Sequence, residues 1–366
     1  MHNPSAPSVP PHCPNPECRF FHSDRHLWRF TKNGTFTCRV RPYPVQRFRC
    51  DTCRRNFSTQ TFATNYWLKR PDLQEPLFKL SVTCAGFRQL GRALGVSAQT
   101  VLGQVARLGR HCLLLHQALR PQGPIPEPLA LDSFESFEYS QYHPTSFHVV
   151  AGQQSHFFHG FTESELRRKG TMTPAQRRRR AQLEASLGRP DPRSVELEVA
   201  EVLRIVAAHT TRLELHTDEH PAYPRAIRRL SRLRIDHRTI SSRAARTPRN
   251  PLFPINLLDL LIRHTGANHK RETIAFSKRR QGAVERLWLF LVWRNYGKSF
   301  SERRPGESPA MRLGLLDHVL TAGEILARRL FPIRIGLPAR WRSYYWRYTP
   351  TRRIPHACVH ERKYAF

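Results

Sequence analysis

Acidic residues are scarce in this chain. Over 366 residues, 28 Asp and Glu stand against 60 Lys and Arg, a formal net charge of +32 at pH 7. An imbalance of that size calls for a polyanionic partner, with nucleic acid first and a membrane surface second. Long uncharged apolar runs are missing too. The most apolar stretch, RLWLFLVW at 286–293, is far too short to span a bilayer. The opening stretch MHNPSAPSVPPHC has no signal-peptide core, so a cytoplasmic, nucleoid-associated protein without a membrane partner is expected. Cysteine is sparse, with eight in the chain, yet four fall in two tight pairs. In a cytoplasmic protein that pattern favours metal over disulfides.

What is there divides the chain. Its length suffices for two or three domains. Residues 1–12, rich in Pro and Ser, read as disordered. CPNPEC carries Cys13 and Cys18, and RFRCDTC carries Cys50 and Cys53. Two cysteines on each of two loops can close a tetrahedral zinc site. Such a site replaces the core that about 50 residues cannot build unaided. Cys38, His12, His22 and His26 are spare ligand candidates. Residues 54–70 mix basic side chains with Phe57, Phe62, Tyr66 and Trp67. That mixture fits either a DNA-facing extension or an aromatic cluster packed under the ribbon.

In CAGFRQLGRALGVSAQTVLGQVARLG, at 84–109, Phe87, Leu90 and Leu94 share a helical face, Gly95-Val96 breaks it, Ser97 can cap, and Val101 and Val105 start a second face. Helix, glycine turn, helix is the helix-turn-helix pattern. It would put Ser97, Gln99, Thr100 and Gln104 on the helix entering the major groove; an ordinary helical hairpin is the alternative. PQGPIPEP, at 121–128, reads as a Pro-rich linker. The expected domains are therefore a ribbon at 1–70, a helix-turn-helix at 71–120, an α/β catalytic domain at 121–305 and a basic, aromatic C-terminal region at 306–366. In that last region ARWRSYYWRYTPTRRIPHACVHERKY suits stacking on DNA, or forms a poorly ordered basic terminus.

Within 121–305, PLALDSFESFE, PTSFHVVAG and SHFFHGF are strand-like runs with turn signals between them. A basic stretch with Arg177, Arg178, Arg179 and Arg180 follows; it is a solvated helix face or, alternatively, a phosphate clamp. Then come an amphipathic helix at 195–208, the strand of RLELHTDEHPAYP, a helix at 222–230 and the strand RIDHRTI. The first strand carries Asp132 and the fourth leads to Asp218. Taken alone, Asp218 could merely cap the next helix. The order of three strands, helix, strand, helix, strand, helix is that of a ribonuclease-H-like core. In that fold the first and fourth strands are neighbours, so two aspartates there can share metal ions.

With these residues in hand, the sequence resembles a bacterial insertion-sequence transposase of the DDE type, one with a zinc ribbon and helix-turn-helix ahead of a ribonuclease-H-like domain. It is most similar to the insertion sequence one family. RFRCDTCRRNFS, HTDEHPAY and HKRETIAFSKRR carry the similarity, over most of residues 13–300. The resemblance implies binding of double-stranded DNA at element ends and target, with homo-oligomerisation on that DNA. It also implies a structural Zn²⁺ and strand transfer with two Mg²⁺ held by two Asp and a Glu. The third acid departs from the pattern. In an ungapped alignment the family's Glu, about 22 residues before the basic residue after Phe-Ser, falls on Asn256, its Asn on Asp259 and its Arg on Arg263. Positions i, i+3 and i+7 share a helical face, so acid and amide have changed places, and Asp259 becomes the expected third ligand. Asp236, Glu272 and Glu285 are the other acids nearby. Glu285 lies in AVERLWLFLVW, a core helix by composition, near whose start it could sit at the surface. A DNA-binding protein derived from a transposase but without catalysis is the alternative function, favoured by Asn256; a structure-specific nuclease is the third.

Overall fold

The computed structural model describes residues 9–349, apart from 24, 39, 41, 42, 271, 272 and 304. A three-stranded antiparallel sheet comes first, of β1 (Phe30–Phe36), β2 (Val45–Cys50) and β3 (Asn56–Ser58). Its own core is small: Phe21, Trp28, Phe48, Phe57 and Phe62. Phe57 and Phe62 of the ambiguous 54–70 stretch are thus packing residues. Tyr66 lies under the Arg329 guanidinium, and Trp67 stays largely exposed. His12 is buried among Phe21, Phe62 and Phe331, so the expected disorder of 1–12 does not reach it; residues 1–8 lie outside the described residues.

Helices α1 (Gln74–Leu80), α2 (Phe87–Ala93) and α3 (Ala98–Leu119) follow. The expected break between the last two is present. Gly95 turns the chain at φ +63°, where a side chain would be strained. Ser97 then caps α3, accepting from the Thr100 N–H at 3.1 Å. Val101, Val105, Leu108 and Cys112 form the buried stripe of α3. That stripe lies against α8 (Arg280–Val292) so closely that a Cβ at Gly109 would sit 2.3 Å from the Glu285 carbonyl oxygen.

A five-stranded mixed sheet forms the centre, making this a mixed α/β chain. Strands β4 (Leu129–Phe137), β5 (Pro144–Gly152) and β6 (Phe158–Glu165) are an antiparallel meander. Helices α4 (Pro174–Leu187) and α5 (Ser194–Val206) lead to β7 (Arg212–Thr217). Helix α6 (Ala222–Arg228) connects β7 to β8 (Arg234–Thr239). The sheet order is β6-β5-β4-β7-β8, with β7 parallel to both of its neighbours. The first and fourth of these strands are therefore side by side. Alternation along β4 splits the core in two. Leu129 and Leu131 face α5 and α6; Ala130 and Phe134 join the cluster of α3, α7 (Phe253–Thr265) and α8.

The remaining elements, α9 (Pro309–Arg312), α10 (Ala322–Ile325) and α11 (Ala339–Tyr345), close over that second cluster. Trp341 is fully buried, its indole donating to Phe161 O at 3.1 Å, and Tyr344 is buried beside it. These aromatics are committed to the core, so stacking on DNA is closed to them; residues 350–366 lie outside the described residues. The Pro-rich 121–128 stretch is fastened as well. Ile125 N–H donates to Thr210 Oγ1, and buried Glu127 accepts from the N–H groups of Gln154 and Ser155.

Candidate functional site

Two clusters gather chemically active side chains. In the first, Cys13 and Cys18 come from the loop before β1, Cys50 from the end of β2 and Cys53 from the turn beyond it. All four sulfurs lie within 4.8 Å of one another. Cys13 Sγ is 3.6 Å from Cys53 Sγ, and Cys18 Sγ is 4.0 Å from Cys50 Sγ. Four sulfurs at about 2.3 Å from a tetrahedral zinc stand about 3.8 Å apart, so the group could bind a structural zinc ion. Burial works against ionisation of Cys50. Hydrogen bonds from the Cys53 N–H and from the Trp28 indole, 3.2 Å away, outweigh it and bring the thiol down to about 7. Burial pushes Cys13 and Cys18 the other way, as expected for thiols that ionise only against a cation. Cys38 and the three histidines stand outside the cluster.

The second cluster lies on the α7 side of the central sheet. The parallel register pairs Leu129 with Leu215 and Ala130 with His216. Two residues further on, Asp132 comes opposite Asp218, just past the end of β7. Helix α7 packs Ile255, Leu258 and Ile262 into the core, and the neighbouring stripe at i, i+3 and i+7 carries Asn256, Asp259 and Arg263 at half-buried positions. Asp132 thus feels both other acids. Burial first, then the charges of Asp218 and Asp259, lift its carboxyl to about 6, against the pull of the Ser133 N–H and the Tyr223 hydroxyl. Ser133 N–H donates to Asp132 Oδ1 at 2.6 Å, and the Tyr223 hydroxyl lies 3.4 Å from the same oxygen.

The neighbours hold these groups differently. Asp218 Oδ1 accepts from His220 N–H at 2.9 Å, while the N-cap position of α6 belongs to Pro221, without a side-chain cap. Asp218 is therefore no helix cap, and the simpler reading of it does not apply. Arg263 Nε donates to both oxygens of Asp259 at 3.1 Å, and its guanidinium lies over the Phe134 ring. Among the described residues, the four cysteines are the group whose ligand atoms all come within 4.8 Å; the three aspartates stand wider.

Other expected residues fall as follows. Ser97, Gln99 and Thr100 lie at the exposed start of α3, but Gln104 is buried and donates to Arg70 O at 2.9 Å. At i+4, Gln104 shares the face of Thr100 one turn further along α3, where the chain around Arg70 covers it, so it is not available for reading bases. Arg177, Arg178 and Arg179 are exposed on α4, whose residues are nowhere buried; Arg180 turns inward, 3.6 Å from Glu184. Glu285 is buried rather than at the surface, with Arg347 at 3.0 Å, Gln281 at 3.1 Å and Arg110 at 3.5 Å. Asp236 is exposed on β8 beside Arg238, and Glu272 lies outside the described residues. Sequence reasoning missed Tyr223, Ser133 and His148. The Tyr223 hydroxyl is 3.2 Å from Ser133 Oγ, which in turn is 2.7 Å from Nδ1 of the buried His148. Tyr223 was in plain view within HTDEHPAY; nothing in the sequence points to His148.

No family model matches the chain, and no curated protein matches it. Among solved structures, the chain resembles one in the cryo-electron-microscopy structure of the simian T-cell lymphotropic virus intasome in complex with the PP2A regulatory subunit B56 gamma. The identity is 16%, over 72% of this chain and 77% of that one, with a TM-score of 0.27. A score that low does not establish a shared fold.

Proposed function

We propose that the chain is a DNA transposase with a ribonuclease-H-like catalytic core, in which Asp132, Asp218 and Asp259 hold two Mg²⁺ and cut and join DNA strands. One observation carries the reading: Asp132 on β4, Asp218 just past the end of β7 and Asp259 on α7 face one another, near enough that the charges of the other two add to burial in raising the Asp132 carboxyl. Three negative charges crowded at a half-open surface suit hard divalent cations with oxygen ligands. Two Mg²⁺ at such a site would activate a water or 3′ hydroxyl and stabilise the leaving oxygen in an in-line displacement at phosphorus. The protein's own part is positioning. Arg263 orients Asp259 and, once the acid takes a cation, is free to face phosphate. Ser133 N–H and Tyr223 fix one oxygen of Asp132. The net charge of +32 and the exposed Arg177–Arg179 would supply sequence-independent attraction to the DNA backbone, and Ser97, Gln99 and Thr100 at the start of α3 would read base edges.

The ribbon would be closed by one zinc ion on Cys13, Cys18, Cys50 and Cys53. Elemental analysis should give about one zinc per chain, and Cys50→Ser should lose it together with the fold of residues 13–60. A Cys50→Ser protein that keeps both metal and fold removes the site.

A second reading, a DNA-binding protein without catalysis, draws on a specific contact: the Asp259 carboxylate is already engaged by Arg263 on both oxygens. The deciding experiment is nicking of a duplex carrying the flanking ends of the gene, with Mg²⁺ or Mn²⁺. Cleavage lost in Asp132→Asn and Asp218→Asn supports the enzyme. Binding without cleavage by the wild type supports the second reading. Joining of the cut 3′ end to a second duplex separates a transposase from a nuclease.

A further inference from the structure

The stretch between β8 and α7 was not singled out by any motif, yet it is the most uniformly exposed basic segment beside the aspartates. Residues 241–250 read SSRAARTPRN, and every one from 241 to 249 is exposed. The segment carries Arg243, Arg246 and Arg249 and no acid. Among the described residues, none of the three guanidinium groups has an ion-pair partner, whereas Arg167, Arg229, Arg238 and Arg280 around the sheet do.

Its placement is fixed at both ends. Ile240 N–H donates to Thr217 O at 2.8 Å, one residue before Asp218. Ser242 then donates from its N–H and hydroxyl to Glu219 Oε2 at 3.1 and 3.2 Å, one residue after Asp218. At the far end, Pro251 O accepts from Gln153, whose amide also meets His216 on β7. The segment therefore leaves the edge strand beside Asp218 and returns to α7, two turns ahead of Asp259. Backbone hydrogen bonds from Ala244 to Ser241 and from Asn250 to Thr247, with Asn250 Nδ2 on Ala245 O, hold its course between those points. Among the described residues, Arg234, Asp236 and Arg238 on this side of β8 are exposed, with no helix over them.

Three unpaired guanidinium groups held at the rim of a carboxylate cluster would repel a cation-rich partner and attract a polyanion. Their planar forks match phosphate oxygens. We propose that residues 241–250 are a phosphate-binding arm, on which Arg243, Arg246 and Arg249 seat the backbone of the duplex next to the phosphodiester presented to Asp132, Asp218 and Asp259. The proposal rests on the DNA-acting reading and deepens it. The arm lies at the β8 edge, whereas Arg177–Arg179 lie on α4, which follows β6 at the opposite edge.

The test uses the full-length protein and a 40-base-pair duplex of arbitrary sequence, since phosphate contacts carry no sequence information. Replacing all three arginines by alanine should make the slope of log Kobs against log salt shallower by about 2.7, at about 0.9 per phosphate contact. The matching lysine triple variant should keep the wild-type slope, because the charges remain. All three side chains are solvent-exposed, so the alanine variant should keep its fold and its zinc, checked by circular dichroism and metal content. Benzoylphenylalanine at Ala245 should crosslink to the duplex. An unchanged slope in the alanine variant overturns the proposal. So does a lysine variant as weak as the alanine one, or a chain that binds the duplex without a crosslink from 245. A wild type that binds but never cleaves sinks the enzyme reading, while the slope and the crosslink still decide the arm. A wild type that does not bind DNA at all removes both.

Discussion

Two groups of acids sit on the central sheet, and their surroundings are opposite. At one end Glu138, Glu163 and Glu165 all reach Arg280, at 3.0, 3.0 and 2.6 Å, and Arg340 joins Glu163 to Glu198 at 2.8 and 3.0 Å. Arg280 is 3% exposed and Glu163 fully buried. Every carboxylate there already touches a guanidinium, although Glu165 and Glu198 stay partly exposed. At the other end, among the described residues, Asp132 and Asp218 touch only a hydroxyl and backbone N–H groups, Asp259 alone has a guanidinium, that of Arg263, and all three aspartates keep some exposure. Burial raises the carboxyls of Glu138 and Glu163 too. A raised carboxyl is therefore not by itself the mark of a site. The difference is whether the compensating cation is built into the chain or left to come from outside.

The sharpest way to break this comparison is to remove the internal cation. Arg280→Met leaves two buried carboxylates, Glu138 and Glu163, and the partly exposed Glu165 without this partner, and should cost about 3–5 kcal/mol, the usual penalty for uncovering buried charge. Thermal or urea unfolding reads it directly. If Arg280→Met unfolds at the wild-type midpoint, Arg280 is not the cation that compensates these carboxylates. The same kind of removal at the open cluster, Asp132→Asn, should leave the fold intact and abolish metal-dependent cleavage.

Next in size is the effect on chemistry of the third acid. Asp259→Ala should lower Mg²⁺-dependent cleavage by at least about 100-fold, roughly 2.7 kcal/mol in barrier. The double change Asn256→Glu with Asp259→Asn should recover part of that loss, because both positions lie on one face of α7. Equal inactivity of Asp259→Ala and the double variant counts against exchange of acid and amide. Glu285→Ala belongs with the internally paired group, since its carboxylate is held by Arg347, Gln281 and Arg110. It should leave cleavage within about tenfold of wild type, about 1.4 kcal/mol, while lowering the unfolding midpoint. A dead but stable Glu285→Ala protein would reverse the assignment.

Much of this contrast was legible in the residues. Alternation in LALDSFESF and RLELHT gave both strands, and the position of each aspartate relative to its strand put Asp132 near Asp218. The two close cysteine pairs gave the four-cysteine cluster that could bind zinc. What stayed hidden depends on distance along the chain. Arg280 reaches three glutamates, one in the turn after β4 and two on β6, more than a hundred residues away, and no local pattern encodes that. ARWRSYYWRY looks like a basic aromatic surface because its period carries polar and apolar residues alike; only the groove beside Phe161 makes Trp341 a core residue. Gln104 was misplaced for the same reason. Its helix was right, but the part of α3 that the chain around Arg70 covers could not be known before that chain was placed. The arm at 241–250 has no periodic pattern at all, and its meaning comes from the two anchors that flank Asp218.

The smallest effect is the pH dependence of the open cluster, where an added divalent cation can reverse a trend that raised carboxyls share in both groups. Asp132 has a carboxyl lifted from 3.8 to about 6. Between those values the folded protein holds a proton that the unfolded chain has released, so its stability falls as pH rises. This contribution is fully favourable below about 4 and is lost as the pH passes about 6. A divalent cation binds the ionised form and should reverse the trend. The unfolding midpoint in EDTA should drop by about 2 °C between pH 4.5 and 6.5 from this group, and saturating Mg²⁺ should stabilise more at pH 6.5 than at 4.5. Asp132→Asn should remove both the slope and the Mg²⁺ effect together. If Mg²⁺ stabilises the wild type equally at both pH values, or stabilises Asp132→Asn as well, the cation is bound elsewhere and the open cluster is not its site.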